Sequence, residues 1–304
     1  MQRRQFLATL AAVPALSAKA AFGMDHISFI TDEAAATPAD AVVFARKYGL
    51  KWVELREVPG ARKSYGRLDE AEAKAAAKEL ADSGLRVSFL NTPFFKTTLP
   101  GSEPVFRRPE TPENREKRIA RHTAEFQRRK EDFEIAFRNC HIYGVDKMRV
   151  FPFLRVAEPR KAFAQIADVL GEVTEWAAKE KIQILFENET SCNVVTCDEV
   201  ADFLKLMPQK NFAFNWDPLN GADLQEQPFP LGYAKLPKKR ILNVQVKGKS
   251  LLEAEQRLDW AGIFAALAKD GYSGCVGLET HYFDGTKIEK SHKSLEEIRR
   301  ILET

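Results

Sequence analysis

The chain has 304 residues, of which 44% are hydrophobic and 29% charged, a balance that suits one large globular domain with a substantial core better than two small ones. Dropping residues 1–20 takes Arg3, Arg4 and Lys19 from the 46 basic residues and nothing from the 43 acidic ones, so the remainder is neutral. Nucleic-acid binders carry a large basic excess because neutralising phosphates supplies most of their affinity, and that class is disfavoured here. The cysteines Cys140, Cys192, Cys197 and Cys275 form no C-x-x-C pair, which argues against a structural zinc site or a thioredoxin-like motif. Cys192 and Cys197 would be close enough in sequence to pair in an oxidising compartment, and four buried thiols are the competing expectation.

Residues 1–20 read as an address label. Arg3-Arg4-Gln5-Phe6-Leu7 leads into an apolar run ending at Leu16 and then small residues around Ala18 and Ala20. The paired arginines resemble a twin-arginine export signal, which implies passage through the twin-arginine machinery and a periplasmic or otherwise exported product. The run is too short and alanine-rich for a spanning helix, so no stable membrane insertion is expected after processing.

From about residue 25 to the C-terminus, β-type runs recur at 26–30, 52–55, 87–91, 147–151, 182–186, 212–216, 241–244 and 275–278. Helical patterns separate them. One opens at Pro38-Ala39-Asp40 and closes at Gly49, a second covers 69–83 before Gly84, a third covers 161–179 after Pro159, and a fourth runs over 197–207 before Pro208. Eight strand-helix units of this length predict a single (β/α)8 barrel domain over 25–304 rather than an open doubly wound sheet. No glycine-rich turn follows the first strand, so a dinucleotide fingerprint is missing. One segment breaks the rhythm: 93–116 is long and proline-rich, and leads into a charged helical stretch at 115–139. This insertion after strand three is expected to be a lid over the barrel mouth, carrying Phe94, Phe95, Phe106, Arg107 and Arg108, or else a solvated excursion.

Four strands of the second half each end on a side chain able to bind a metal: Glu187, Asp217, Gln245 and Glu279, with gaps of 30, 28 and 34 residues. Barrels of this type place their chemistry at the C-terminal ends of strands, so the four converge on one mouth. Three carboxylates and an amide make an oxygen-rich set suited to one hard divalent ion, with Mn2+ favoured and Mg2+, Co2+ or Ca2+ alternatives. Lys247 points to the same side of its strand as Gln245 and is a candidate for holding a substrate oxygen. Glu54 and Arg56 at the end of strand two, and His281 beyond Glu279, are further candidate substrate contacts.

The segments Phe186-Glu187-Asn188, Asn215-Trp216-Asp217-Pro218-Leu219-Asn220, Val244-Gln245-Val246-Lys247 and Gly271-Tyr272-Ser273-Gly274 leading to Leu278-Glu279 resemble the sugar phosphate isomerase/epimerase family of xylose-isomerase-like TIM barrels. The family includes inosose dehydratases, ketose 3-epimerases and endonuclease IV. The resemblance implies that Glu187, Asp217, the residue at 245 and Glu279 hold one divalent metal, and that Glu187 and Glu279 also act as acid and base. Two positions depart from the family pattern. Gln245 stands where histidine is usual, and Asn220 stands where a second histidine commonly follows the aspartate by three residues. Gln245 still offers a carbonyl oxygen, whereas Asn220 offers only a hydrogen-bonding amide, a candidate substrate contact. Endonuclease IV builds its centre from several histidines, and none of His26, His122, His141, His281 and His292 falls on the four ligand positions.

These observations imply a metal-dependent isomerase or epimerase acting on a sugar or polyol ketone through an enediolate. A lyase, either a dehydratase or a keto-glycoside eliminase, would use the same site. A non-catalytic exported carbohydrate-binding barrel is the reading from another class, and Gln245 and Asn220 are its best support.

Overall fold

A computed structural model describes residues 22–106 and 108–304; the segment 1–20, read above as an export signal, and Arg107 lie outside them. Eight parallel strands follow one another as β1 (Ile27–Phe29), β2 (Trp52–Leu55), β3 (Arg86–Leu90), β4 (Lys147–Val150), β5 (Gln183–Glu187), β6 (Phe212–Trp216), β7 (Ile241–Lys247) and β8 (Cys275–Glu279). Each pairs with its sequence neighbour from β2 to β8, and β8 pairs with β1. The last seam, between β1 and β2, is a single bridge from Ile30 to Glu54. The sheet is therefore a nearly closed barrel, as the alternation of strands and helices predicts.

The main crossover helices are α1 (Pro38–Tyr48), α2 (Glu70–Asp82), α3 (Pro112–Gln127), α4 (Arg129–Tyr143), α5 (Pro159–Lys179), α6 (Cys197–Leu204), α7 (Trp260–Lys269) and α8 (Lys287–Leu302). Local chemistry sets their ends. Thr37 and Asp69 accept backbone hydrogen bonds as N-caps of α1 and α2, and Thr196 forms a capping box with Glu199 on α6. Gly49 closes α1 with φ of 69°, a left-handed conformation that favours glycine. The charged stretch expected as one helix is two, α3 and α4, separated at Arg128 (φ −84°, ψ 0°). After β6 there is no long helix, only short turns such as Pro218–Ala222.

The apolar core lies between the helices and the outer face of the sheet, with rings such as Phe186, Phe203 and Phe212 interlocked there. Inside the barrel, Phe89, Leu185 and Ala213 make a small apolar cluster of their own. Two residues further along the same strands, and so on the same face, come Asn91, Glu187 and Asn215. The interior thus changes from apolar to polar towards the C-terminal rim. All four cysteines are free. Among the described residues no helix is long and apolar enough to cross a membrane.

Candidate metal and acid-base site

Glu187, Asp217 and Glu279 converge at that rim, each offering a carboxylate oxygen within 4.8 Å of the others. All three are buried, Glu279 being 5% exposed. In each, one oxygen is anchored by the chain. Glu187 Oε2 accepts hydrogen bonds from Arg149 Nη1 at 2.7 Å and Asn215 Nδ2 at 3.1 Å. Asp217 Oδ1 accepts the backbone N–H groups of Leu219 and Asn220 at the start of the Pro218–Ala222 turn. Glu279 Oε1 accepts from Arg56 Nη1 at 3.1 Å. The second oxygens are directed by these anchors, and Asp217 Oδ2 is buried with no hydrogen bond among the described residues, although Lys247 Nζ stands 3.0 Å away.

Gln245 lies within β7, which extends three residues past its predicted end. Its Nε2 donates to Glu54 Oε2 at 2.7 Å, and its Oε1 is buried without a partner. Glu54 is fully buried inside the barrel, not at the cleft wall. Its Oε1 accepts from Ser28 Oγ and Asn243 Nδ2, and its Oε2 from Asn91 Nδ2 and Gln245 Nε2, which uses all four lone-pair directions. Burial pushes its pKa up, and these four donors oppose the shift. An acceptor-only partner fixes which end of the Gln245 amide faces it, so the carbonyl oxygen is the end left over. Room for Glu54 comes from Gly277 on β8, where a Cβ would lie 1.9 Å from Glu54 Oε1.

The oxygens of the triad together with the orphaned Gln245 carbonyl suit one hard divalent cation, so the residues fit the metal that the sequence implies. Three cations already balance the triad: Arg149 on Glu187, Lys247 beside Asp217, and Arg56 on Glu279. Arg56 also pairs with Asp32 and Glu33, so its guanidinium is held from three sides. Lys247 is buried and donates to Asn220 Oδ1 at 2.6 Å. Asn220 is spent at both ends, since its Nδ2 donates to the Asn188 carbonyl.

The carboxyl groups differ in acidity. Burial raises Glu187, with Arg149 opposing, and raises Asp217 to about 7, with Lys247 opposing. Burial also acts on Glu279, but His281, Lys247 and Arg56 outweigh it and hold this carboxyl well below the usual range. His281 Nδ1 stands 3.7 Å from Glu279 Oε1, a through-space contact rather than a hydrogen bond.

Above the triad opens a cleft of about 700 Å³ whose floor includes Lys247, Asn220 and His281. Of the residues expected in a lid, Phe106 lines this cleft. Phe94 and Phe95 do not: both are buried, packed at a tilt against Phe133 of α4, because the apolar face of the insertion is used to seat it on the barrel. Arg108 faces a neighbouring surface hollow beside α3, which shares Phe106 and Leu154 with the cleft. Sequence reasoning missed Asn215 and Asn243, which link Glu187 to Glu54 through Asn243 Nδ2 to Asn215 Oδ1 at 3.0 Å. Their signal was a polar residue at the inward phase of an otherwise apolar strand.

The model of the xylose isomerase-like TIM barrel matches residues 42–303. The chain belongs to this family. No curated protein matches the chain by sequence. Among solved structures, the family fold recurs in 3-keto-D-glucoside 4-epimerase, YcjR, from E. coli (11% identity, TM-score 0.66, 92% of this chain and 100% of that one). It recurs in the IOLI protein with a bound zinc atom (14%, 0.64, 91% and 98%). A third is the probable 3-DHS dehydratase AsbF from Bacillus anthracis (14%, 0.62, 90% and 98%). At these identities the likeness is one of fold, shared by epimerases and a dehydratase.

Proposed function

We propose that this family member is a metal-dependent sugar isomerase or epimerase that works by proton abstraction next to a carbonyl. The observation carrying this reading is that two buried glutamates, Glu187 and Glu279, meet Asp217 at one rim with carboxylate oxygens within 4.8 Å of one another. Two carboxyl groups facing one site can divide the roles of base and acid. Glu279, kept ionised by Arg56, Lys247 and His281, takes the proton from the carbon beside the carbonyl. Glu187, whose carboxyl is raised, returns a proton. Delivery to the same carbon from the opposite face gives epimerisation, and delivery to the neighbouring carbon gives isomerisation. Loss of a β-hydroxyl or glycosidic oxygen instead gives the lyase outcome.

Glu187, Asp217, Glu279 and the Gln245 carbonyl would hold the divalent ion, Mn2+ by preference, which when bound supplies Lewis acidity to the substrate oxygens. Lys247 would orient a substrate hydroxyl or carbonyl oxygen at the cleft floor, with Asn220 Oδ1 holding its ammonium in place. The low exposure of the triad excludes bulk water from the abstracted proton. Incubating free and 3-oxidised sugars in heavy water with Mn2+ tests the reading by deuterium uptake at the enolisable carbon. Glu187→Gln and Glu279→Gln should each abolish the exchange. Exchange at the unaltered rate in either variant removes that residue from its role, and no exchange with any ketose favours a carbohydrate-binding barrel. Export by the twin-arginine route belongs to the same proposal, and retention of an Arg3→Lys, Arg4→Lys variant in the cytoplasm tests it.

A further inference from the structure

Among the described residues nine large hydrophobic side chains are exposed, and four of them, Val105, Phe106, Leu224 and Phe283, line the single cleft above the triad. Isolated exposed apolar residues are unremarkable, but their concentration around one polar-floored cleft marks a ligand surface. Phe283 is 81% exposed, with the edge of His281 4.7 Å from it, and Phe106 is 41% exposed.

The two rings stand on opposite sides of the mouth. Phe283 follows β8. Phe106 belongs to the insertion, which is tied to the segment after β4 by the bridge between Pro104 and Val156 and by Val105 N donating to the Arg155 carbonyl at 2.8 Å. In an eight-stranded barrel, β4 and β8 are four steps apart in either direction, so the two rings reach the cleft from opposite sides of the barrel. Phe106 is also anchored: the Arg118 guanidinium lies 5.1 Å from its ring centre, and Arg118 is buried on Glu103, Glu110 and Thr98. One sugar ring seated on Lys247 fills only part of the cleft of about 700 Å³ and leaves the part bounded by the two phenylalanines open.

We infer that the cleft has an outer subsite, bounded by Phe106 and Phe283, for a second ring linked to the reacting sugar, so that the substrate class is a glycoside rather than a free monosaccharide. This rests on the reading of the floor as a sugar site. Either a second sugar, through its C–H face, or an aryl aglycone presents the flat apolar surface that the two phenylalanines match. Both share the requirement for an O-linked ring above the reacting unit.

The test measures binding to the full chain by calorimetry with D-glucose, methyl β-D-glucoside, phenyl β-D-glucoside and cellobiose. Phenyl glucoside or cellobiose should bind about tenfold more tightly than the two single-ring probes. An advantage for cellobiose assigns the subsite to sugar, and one for the phenyl compound to an aryl group. The double variant Phe106→Ala, Phe283→Ala alters exposed side chains and should erase the advantage while leaving glucose binding unchanged. Equal binding of all four probes, or an advantage that survives in the variant, overturns the outer subsite and leaves the sugar floor standing. No binding of any probe overturns both.

Discussion

The sharpest perturbation of the metal site is a residue that would never touch the ion. Replacing Glu54 by Gln keeps one acceptor oxygen and turns the other into an NH2 group, and the surroundings decide where that group goes. On the Oε1 side it would meet Asn243, whose Nδ2 cannot turn away because it also donates to Asn215 Oδ1 at 3.0 Å. On the Oε2 side it meets Asn91, whose Oδ1 is free to rotate in, and Gln245. The new NH2 is therefore directed at Gln245, which must flip to accept it. The flip turns a ligand oxygen into an N–H donor facing the cation. Loss of a supporting partner of this kind weakens metal binding by about 10–100-fold, or about 1.4–2.7 kcal/mol. Titration of Mn2+ followed by the electron paramagnetic resonance of the free ion measures it. The decisive comparison is a double-mutant cycle with Gln245→Leu. If Glu54 acts through Gln245, adding Glu54→Gln to Gln245→Leu changes the Mn2+ affinity no further. Equal losses in both backgrounds would refute the reasoning.

Gly277→Ala places a Cβ where Glu54 Oε1 now lies, at 1.9 Å, and should lower stability by about 1–3 kcal/mol in denaturant titrations while also weakening Mn2+ binding. Asp217, raised to about 7 by burial, must lose its proton to bind a cation. Mn2+ affinity should therefore climb by about tenfold or more per pH unit below about 7, because Glu187 is raised as well, with at least one proton released per ion in calorimetry there. His122, lowered to about 4 by burial and by Arg121 and Arg118, accepts the Thr98 backbone N–H through its Nδ1. A depressed imidazole contributes stability that is present above its unfolded value and lost as pH falls towards 4. Exchange protection across 96–127, corrected for the intrinsic pH dependence of amide exchange, should accordingly fall on going from neutral to about pH 4, ahead of the barrel strands.

The barrel was legible because each strand is a short apolar run ended by a polar residue and followed by a helix signal, and that period survives any local error. Glu187, Asp217 and Glu279 were legible for the same reason, since strand ends in this fold share one rim. The place of Glu54 was not, because a carboxylate at a strand end looks identical whether it faces substrate or is saturated by Ser28, Asn91, Asn243 and Gln245 from three other strands. Only the three-dimensional convergence of those donors, and the missing side chain of Gly277, distinguishes the two. Likewise the phenylalanines of the insertion divide between anchoring, in Phe94 and Phe95, and the cleft, in Phe106, by contacts with α4 that are remote in sequence.

The difference between the two glutamates follows from strand register rather than from their own surroundings alone. In the β7–β8 ladder Lys247 stands directly across from Glu279, and Gln245 across from Gly277. The register thus sets a buried ammonium beside the strand-end carboxylate of β8, and Arg56 and His281 add to it from β2 and from the loop beyond. On β5 the partner directly across from Glu187 is Asn215, a neutral amide, so Arg149 is the one cation bonded to it. Burial then raises Glu187 despite Arg149, while His281, Lys247 and Arg56 together hold Glu279 ionised. A one-residue slip of β7 against β8 would turn Lys247 and Gln245 to the outer face together. The buried Gln245 carbonyl, the charge set beside Glu279 and the lysine at the cleft floor therefore depend on a single ladder of the barrel.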